Sequence, residues 1–230
     1  MNPDELTGRV RTHIADVPAP QCALHAHVVA PFLNLRRAAS ADGFDLWPAS
    51  SFRDFARQLA IWNGKFSGER PLLDASGQAI DAAALSPADR ITAILLWSAL
   101  PGASRHHWGT DVDFIDRNAT APGYRVELTA REFAAGGPNV AAGPYAALGE
   151  WLERNAARFG FFRPFRGVLS GVQPEPWHYS FAPIAENARC RLTPALLSAA
   201  IDAAPLLGKD EVLARIDELH ARYVEKIDRP

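Results

Sequence analysis

Two short segments of this 230-residue chain combine residue types that bind metals and move protons. The first extends from Ser104 to Asp113 and contains His106, and the second extends from Glu175 to His178. Together they offer two imidazoles and a carboxylate, and a catalytic zinc ion takes three protein ligands and leaves one position for water. Glu175 is then available as a general base for a water molecule that the metal activates. These residue types are suited to metal-assisted hydrolysis.

The same residues also have a plainer interpretation. A histidine pair beside a tryptophan often forms a partly buried polar cluster, and acidic residues on a strand are often solvated. Gly109 permits a turn after His106, and the alternation that follows predicts a strand with Asp111 and Asp113 on one face. Prolines on both sides of Glu175 argue against the helical H-E-x-x-H arrangement. Spacing alone therefore leaves both a metal site and a polar cluster open.

Three motifs in order resemble those of the LAS metallopeptidases, which include vancomycin-resistance D,D-carboxypeptidases and muropeptide carboxypeptidases. The family pattern S-x-H-x-x-G-x-A-x-D is similar to residues 104–113, and E-x-W-H is similar to residues 175–178. An upstream motif of the carboxypeptidases, S-G-Y-R-S-Y-x-x-Q, is similar to residues 50–58. Three ordered motifs are more specific than any one of them.

The resemblance implies a metal centre with one Zn²⁺ per chain. His106, Asp113 and His178 stand at the positions of its ligands, and Glu175 stands at the position of the catalytic base. The chain departs from the pattern at Asp111, where the family usually has a small residue. A second carboxylate so near the metal is expected either to compete as a ligand or to raise the pKa of a neighbour. His107 is a rival to His106, although the spacing to the glycine favours His106.

The resemblance also implies a substrate-binding set, which consists of Arg53, Gln58 and Ser104. In relatives, the arginine and the glutamine help to hold the terminal carboxylate of the substrate. Arginine suits this role because its planar guanidinium binds a carboxylate through two parallel hydrogen bonds.

The activity that follows is that of a zinc-dependent carboxypeptidase. Its expected substrate is a muropeptide or another D-Ala-terminated peptide, cleaved at a D-Ala-D-Ala or an L,D bond. The alternatives are a peptidoglycan endopeptidase, as in phage lysins, and a non-catalytic zinc-containing binding module on the same scaffold, as in hedgehog domains. Arg53 and Gln58 favour the carboxypeptidase, because an anchor for a terminal carboxylate has no use within a chain. Glu175 favours catalysis, because a binding module needs no general base.

Helices and short strands are interspersed without a regular βαβ alternation. This pattern predicts an α+β fold, in which a small antiparallel sheet carries the zinc site and helices flank it. Helices are expected over residues 23–37, 54–62, 86–100 and 144–158, and a strand over residues 124–128. Residues 1–192 are expected to form the peptidase domain, and residues 193–230 a helical extension packed on it. The resemblance does not extend to residues 63–85 or to this extension.

Composition excludes two classes of partner. The net charge is −2 and basic residues form no long run, which excludes nucleic acid. No stretch approaches the roughly 20 apolar residues of a membrane helix. The N-terminus lacks the features of a signal peptide, so the expected location is the cytoplasm, or the periplasm if the natural chain carries a leader. The two cysteines are too few for a disulfide framework, and the oligomeric state stays open.

Overall fold

The computed structural model describes residues 1–138 and 140–230. Within these residues, eight strands form three antiparallel sheets: β1 (Ile14–Pro18), β2 (Gln21–His25), β3 (Leu46–Ser50), β4 (Leu72–Leu73), β5 (Ala79–Ile80), β6 (Asp111–Asp116), β7 (Phe161–Phe162) and β8 (His178–Phe181). The same residues contain nine α-helices: α1 (Pro3–Leu6), α2 (Val29–Ala41), α3 (Phe55–Ser67), α4 (Pro87–Leu95), α5 (Ala146–Asn155), α6 (Ala182–Arg191), α7 (Pro194–Asp202), α8 (Lys209–Ala214) and α9 (Ile216–His220). Among them, no helix is long and apolar enough to cross a membrane.

The central sheet has four strands in the order β3-β6-β8-β7, and neighbouring strands are antiparallel. Strand β6 is buried along its whole length. Val112 and Phe114 belong to an apolar core with Phe32 of α2, whereas the alternate positions are Asp111 and Asp113. The predicted α+β fold with a small antiparallel sheet is confirmed.

Local capping signals determine where helices α3 and α4 begin. The Asp54 side chain accepts a hydrogen bond from the backbone N–H of Arg57 at 2.7 Å, and Ser86 caps α4 ahead of Pro87. Helix α3 is longer than the predicted 54–62, because it continues to Gly68, which ends it in the left-handed conformation. Helix α4 ends before residue 100, the predicted limit.

The strand predicted over residues 124–128 is wrong. The carboxylate of Glu132 organises this segment, because it accepts hydrogen bonds from the Tyr124 hydroxyl at 2.9 Å and from the backbone N–H of Thr129 at 2.9 Å and of Glu127 at 3.3 Å. Leu128 takes a positive φ of 54°, which lies outside the β region. The backbone N–H groups of this segment therefore donate hydrogen bonds to the side chain of Glu132 instead of to a neighbouring strand.

The helix predicted over residues 23–37 begins too early. Its first residues lie in β2, which pairs with β1, and helix α2 begins at Val29. Pro31 therefore lies in the first turn of α2, where the missing N–H removes no helical hydrogen bond.

The C-terminal helices contribute to a second apolar core. Leu197 of α7 and Leu219 of α9 belong to one buried cluster with Trp62 of α3 and Ile94 of α4. The indole N–H of Trp62 also donates to the backbone oxygen of Leu207 at 3.0 Å. The division into residues 1–192 and 193–230 stays a prediction.

Candidate active site

His106 lies in a 3-10 turn that ends at Gly109. Gly109 has a φ of 66°, and a Cβ atom there would lie 2.5 Å from the backbone nitrogen of His25, so the turn requires glycine. Nδ1 of His106 donates to the backbone oxygen of Ser51 at 2.9 Å. Nε2 consequently faces the site, where Oδ2 of Asp113 lies 3.5 Å away.

His178 reaches the same place from strand β8, because it pairs with Asp113 across the sheet. Its Nδ1 lies 3.2 Å from Oδ1 of Asp113 and 3.2 Å from Oε2 of Glu175. Burial alone would lower the pKa of His178, but the hydrogen bond to Asp111 and the adjacent carboxylates of Asp113 and Glu175 outweigh burial and raise that pKa well above its usual value. Nδ1 therefore faces a negative environment that suits a cation.

Asp111 lies behind His178 and is fully buried. Its Oδ1 accepts hydrogen bonds from Nε2 of His178 at 2.9 Å and from Nε of Arg105 at 2.8 Å, and its Oδ2 accepts from the hydroxyls of Thr110 and Ser180. Burial alone would raise the pKa of Asp111, but Arg105 and His178 outweigh it and hold the pKa low. This geometry disagrees with the expectation that Asp111 competes as a metal ligand. It agrees with the expectation that Asp111 raises the pKa of a neighbour, which is His178.

His106, Asp113 and His178 form a buried group with the geometry of a metal site. One possible ligand atom from each lies within 4.8 Å of the others. Oδ1 of Asp113 is buried, and it has no hydrogen-bond partner among the described residues. Such an oxygen is costly unless a cation or a donor compensates it. Two imidazoles and a carboxylate are a donor set that zinc accepts, so these residues fit the predicted cofactor.

Glu175 lies beside this group, and its side chain is 12% exposed. A tight turn positions it, because the backbone N–H of His178 donates to the Glu175 carbonyl at 3.2 Å and the Glu175 N–H donates to Phe165 at 3.0 Å. Burial raises the pKa of Glu175 and is only partly opposed by the hydrogen bond with His178. Its carboxylate is thus close to the metal group without being needed as a third ligand.

Arg53 lines the same cavity, and Gln58 is fully buried beside it. Nη1 of Arg53 donates to Oε1 of Gln58 at 2.8 Å, and Nη2 donates to the hydroxyl of Ser50 at 3.2 Å. Gln58 is itself fixed, because its Nε2 donates to the backbone oxygen of Ala99 at 2.8 Å. Ser104 is buried at the cavity wall. The structure therefore brings six of the seven predicted site residues to one cavity, and the seventh, Gln58, contacts it through Arg53.

His107, the rival to His106, has both ring nitrogens engaged elsewhere. Nδ1 donates to the backbone oxygen of Arg53 at 2.6 Å, and Nε2 accepts from the N–H of Gly102 at 3.1 Å. Burial lowers the pKa of His107 to about 3, so the ring is neutral and bridges two loops. This geometry assigns the metal-facing position to His106.

The cavity has a volume of about 660 Å³, which is in the range of small-ligand sites. Sequence reasoning missed several of its lining residues, including Lys65, Gln78, Leu128 and Tyr223. Lys65 follows Gln58 by seven residues, which is helical spacing, but the predicted helix ends at residue 62, before Lys65. The positions of Leu128 and Tyr223 depend on contacts between distant segments that no local pattern reveals.

Comparison with known proteins shows which family the chain belongs to. The family model for VanY, D-alanyl-D-alanine carboxypeptidase, matches residues 21–184. An uncharacterized protein of Haemophilus influenzae is 44% identical over 103 residues, which are 44% of this chain and 70% of that protein. A D-alanyl-D-alanine carboxypeptidase of Enterococcus faecalis is 29% identical over 160 residues, which are 68% of this chain and 47% of that protein.

Two solved structures share the fold. VanYB in complex with D-alanine-D-alanine has a TM-score of 0.52 and 22% identity, covering 83% of this chain and 88% of that chain. A mutant of the vancomycin-resistance D,D-pentapeptidase VanY, in complex with Zn(II), has a TM-score of 0.51 and 24% identity, covering 82% and 88%. The family match and the buried metal group agree with the enzyme class predicted from the sequence. The chain belongs to the VanY family of D-alanyl-D-alanine carboxypeptidases.

Proposed function

We propose that this protein is a zinc-dependent carboxypeptidase that removes the C-terminal D-amino acid from peptidoglycan-type peptides, at a D-Ala-D-Ala or an L,D bond. The observation that carries the proposal is that a candidate base, a metal-binding group and a candidate carboxylate anchor lie around one cavity. Glu175 lies beside the His106–Asp113–His178 group, and the guanidinium of Arg53 lines the same cavity. A base, a metal group and a carboxylate anchor are what hydrolysis of a terminal peptide bond requires.

In this proposal, His106, Asp113 and His178 hold the zinc ion. When bound, zinc polarises a carbonyl group and lowers the pKa of water towards neutrality. The VanY structure in complex with Zn(II) supports the choice of metal. Asp111 fixes the ring of His178 from behind, so that Nδ1 faces the site.

Glu175 is the proposed general base. Its Oε2 accepts the proton of the attacking water and then returns a proton to the departing amine. The turn between Glu175 and His178 holds the carboxylate in place. Burial, which raises the pKa of Glu175, brings that carboxyl closer to the range in which it can both accept and donate a proton.

Arg53 is the proposed anchor for the terminal carboxylate of the substrate. Its bonds to Gln58 and Ser50 fix the guanidinium before any ligand arrives, which reduces the ordering cost of binding. Ser104 also lines this cavity. The VanYB complex with D-alanine-D-alanine supports a D-Ala-terminated peptide as the substrate.

Two other activities remain as alternatives. An endopeptidase of the lysin kind would bind its substrate through a longer stretch of chain and would make no use of Arg53. A non-catalytic zinc-containing module would have no use for Glu175. No specific observation favours either one over the carboxypeptidase.

Peptide cleavage tests the proposal directly. We expect the zinc-loaded protein to shorten penta- or tetrapeptide muropeptides by one residue, with free D-alanine identified by mass spectrometry. Glu175→Gln, which keeps the size of the side chain, is the matched control and should be inactive. Cleavage within the peptide would indicate an endopeptidase, and intact substrates with fully zinc-loaded protein would indicate a binding module.

A further inference from the structure

Lys65 adds a cation to the cavity, which Arg53, Arg131 and the Asp111-paired Arg105 also line. Lys65 lies on helix α3, two turns beyond Gln58, and lines the cavity together with Ile61 of the same helix face. Its Nζ donates to the hydroxyl of Ser98 at 2.6 Å. The side chain is thus held in place by a neutral partner at the cavity wall.

Among the described residues, no carboxylate forms a salt bridge with Lys65. The acidic group that acts on it is Glu175, which does so through the cavity, while Arg53 and Arg70 repel it. Burial lowers the pKa of Lys65 to about 8, which is a sign that its charge lacks compensation. A partly buried ammonium without an anion is costly, and an incoming anionic ligand offsets this cost.

Lys65 and Arg53 are held at two separate points. Arg53 is fixed by Gln58 at the start of α3, and Ser98 fixes Lys65 about 10 Å further along the helix axis, given the rise of 1.5 Å per residue. One carboxylate bound in the fork of Arg53 has its hydrogen bonds supplied there. Lys65 therefore fits a second anionic group on the same ligand.

We propose that Lys65 forms a subsite for a second carboxylate of the substrate, carried by a residue on the N-terminal side of the scissile bond. This inference rests on the proposed carboxypeptidase function. With the terminal carboxylate at Arg53, the rest of the peptide extends away from the leaving residue, on the N-terminal side. The substrate class is then a peptide with an acidic side chain within two residues of the bond that is cleaved.

Lys65 has one competing role, which is to moderate the charge of Glu175. The two roles differ in what they change. A partner of Glu175 affects kcat for every substrate, whereas a carboxylate subsite affects KM for acidic substrates only. A pair of peptides that differ only in Glu against Gln at one position distinguishes them.

The experiment measures steady-state kinetics on two such pairs, with the substitution one or two residues before the scissile bond. The wild-type protein should prefer the Glu peptide of one pair through KM, by roughly 10- to 100-fold, as expected of a charge-assisted hydrogen bond. Lys65→Met should abolish this preference and leave the Gln peptide unaffected, whereas Lys65→Arg should retain most of it. Lys226→Met, which removes an exposed lysine outside the cavity, is the matched control.

Equal kcat/KM for the Glu and Gln peptides in the wild-type protein would overturn the subsite without any variant being needed. An equal loss of kcat on both peptides in Lys65→Met would assign Lys65 to Glu175 instead. A wild-type protein that cleaves neither peptide while fully loaded with zinc contradicts the proposed function itself, which is a different outcome from equal cleavage of both.

Discussion

Nε2 of His178 lies 2.9 Å from Oδ1 of Asp111, on the side of the ring away from the metal group. This contact explains how a second carboxylate can lie close to a metal site without joining it. Arg105 neutralises Asp111, and the paired strands β6 and β8 hold Asp111 opposite Ser180, whose hydroxyl donates to it. The buried Asp111–His178 pair therefore orients the imidazole and selects the nitrogen that faces the metal.

The two acidic residues of β6 should differ in their effect on metal binding. We expect Asp113→Ala to abolish stable zinc binding, because it removes a ligand. Asp111→Asn should weaken zinc binding only ~10- to 100-fold, the range for partners of a metal-ligating histidine. It should also lower thermal stability, since Arg105 loses its buried counter-ion. Chelator competition and thermal unfolding measure both effects, and equal losses of zinc in the two variants would contradict the assignment.

The two adjacent histidines offer an internal control for the metal site. His106→Ala and His178→Ala should each lose the single zinc ion, as measured by elemental analysis of purified protein. His107→Gln should retain it, because His107 bridges Arg53 and Gly102 instead of facing the metal group. It should lose stability, however, because a buried hydrogen-bonded ring is replaced. Full zinc content in His106→Ala would mean that the wrong histidine has been assigned.

The family motifs predicted which residues would form the site, whereas other residues that line the cavity depend on contacts between distant segments. The family motifs indicated His106 and Asp113, whereas the local signals, Gly109 and the alternation of β6, predicted only a turn and a strand. The rim around Leu128 could not be predicted, because the side chain of Glu132 replaces strand pairing there. Lys65 was missed for another reason, because the predicted helix ends at residue 62, whereas α3 tolerates Gly64 and continues to Ser67.

We propose that residues 193–230 form an extension without which the peptidase domain is not stable. Deletion after Arg191 removes Leu197 and Leu219 from the core around Trp62, and it exposes that apolar surface. It also removes Asp228, which accepts a hydrogen bond from the backbone N–H of Arg166 at 2.8 Å. The truncated chain should be insoluble or unfolded by circular dichroism. A folded truncated protein with wild-type activity would show that the helices are dispensable.

Lys65→Met should raise thermal stability at neutral pH, in contrast to its expected effect on acidic substrates. Burial holds the folded-state pKa of Lys65 at about 8, below its ordinary value of 10.5. The folded state therefore binds fewer protons than the unfolded state between these values, so wild-type stability increases as pH rises through them. We expect a gain in Tm of ~2–4 °C at pH 7, corresponding to about 1 kcal/mol in a chain of this size. The gain should shrink by pH 10, and a gain that grows with pH would contradict the assigned burial.

Glu175 and Arg53 should affect different steps of the same reaction. Glu175→Ala leaves the metal group and the carboxylate anchor intact, so zinc content and substrate affinity should be preserved. Its kcat should fall by about 10²–10⁴, the usual contribution of a positioned acid–base group. Arg53→Ala should chiefly lower kcat/KM, because it removes the anchor that orients the scissile carbonyl. It should have little effect on a peptide whose terminus is already amidated, since that substrate offers Arg53 no carboxylate. Steady-state kinetics on one peptide and its C-terminal amide test both residues together, and near-wild-type kcat in Glu175→Ala would rule out the proposed base.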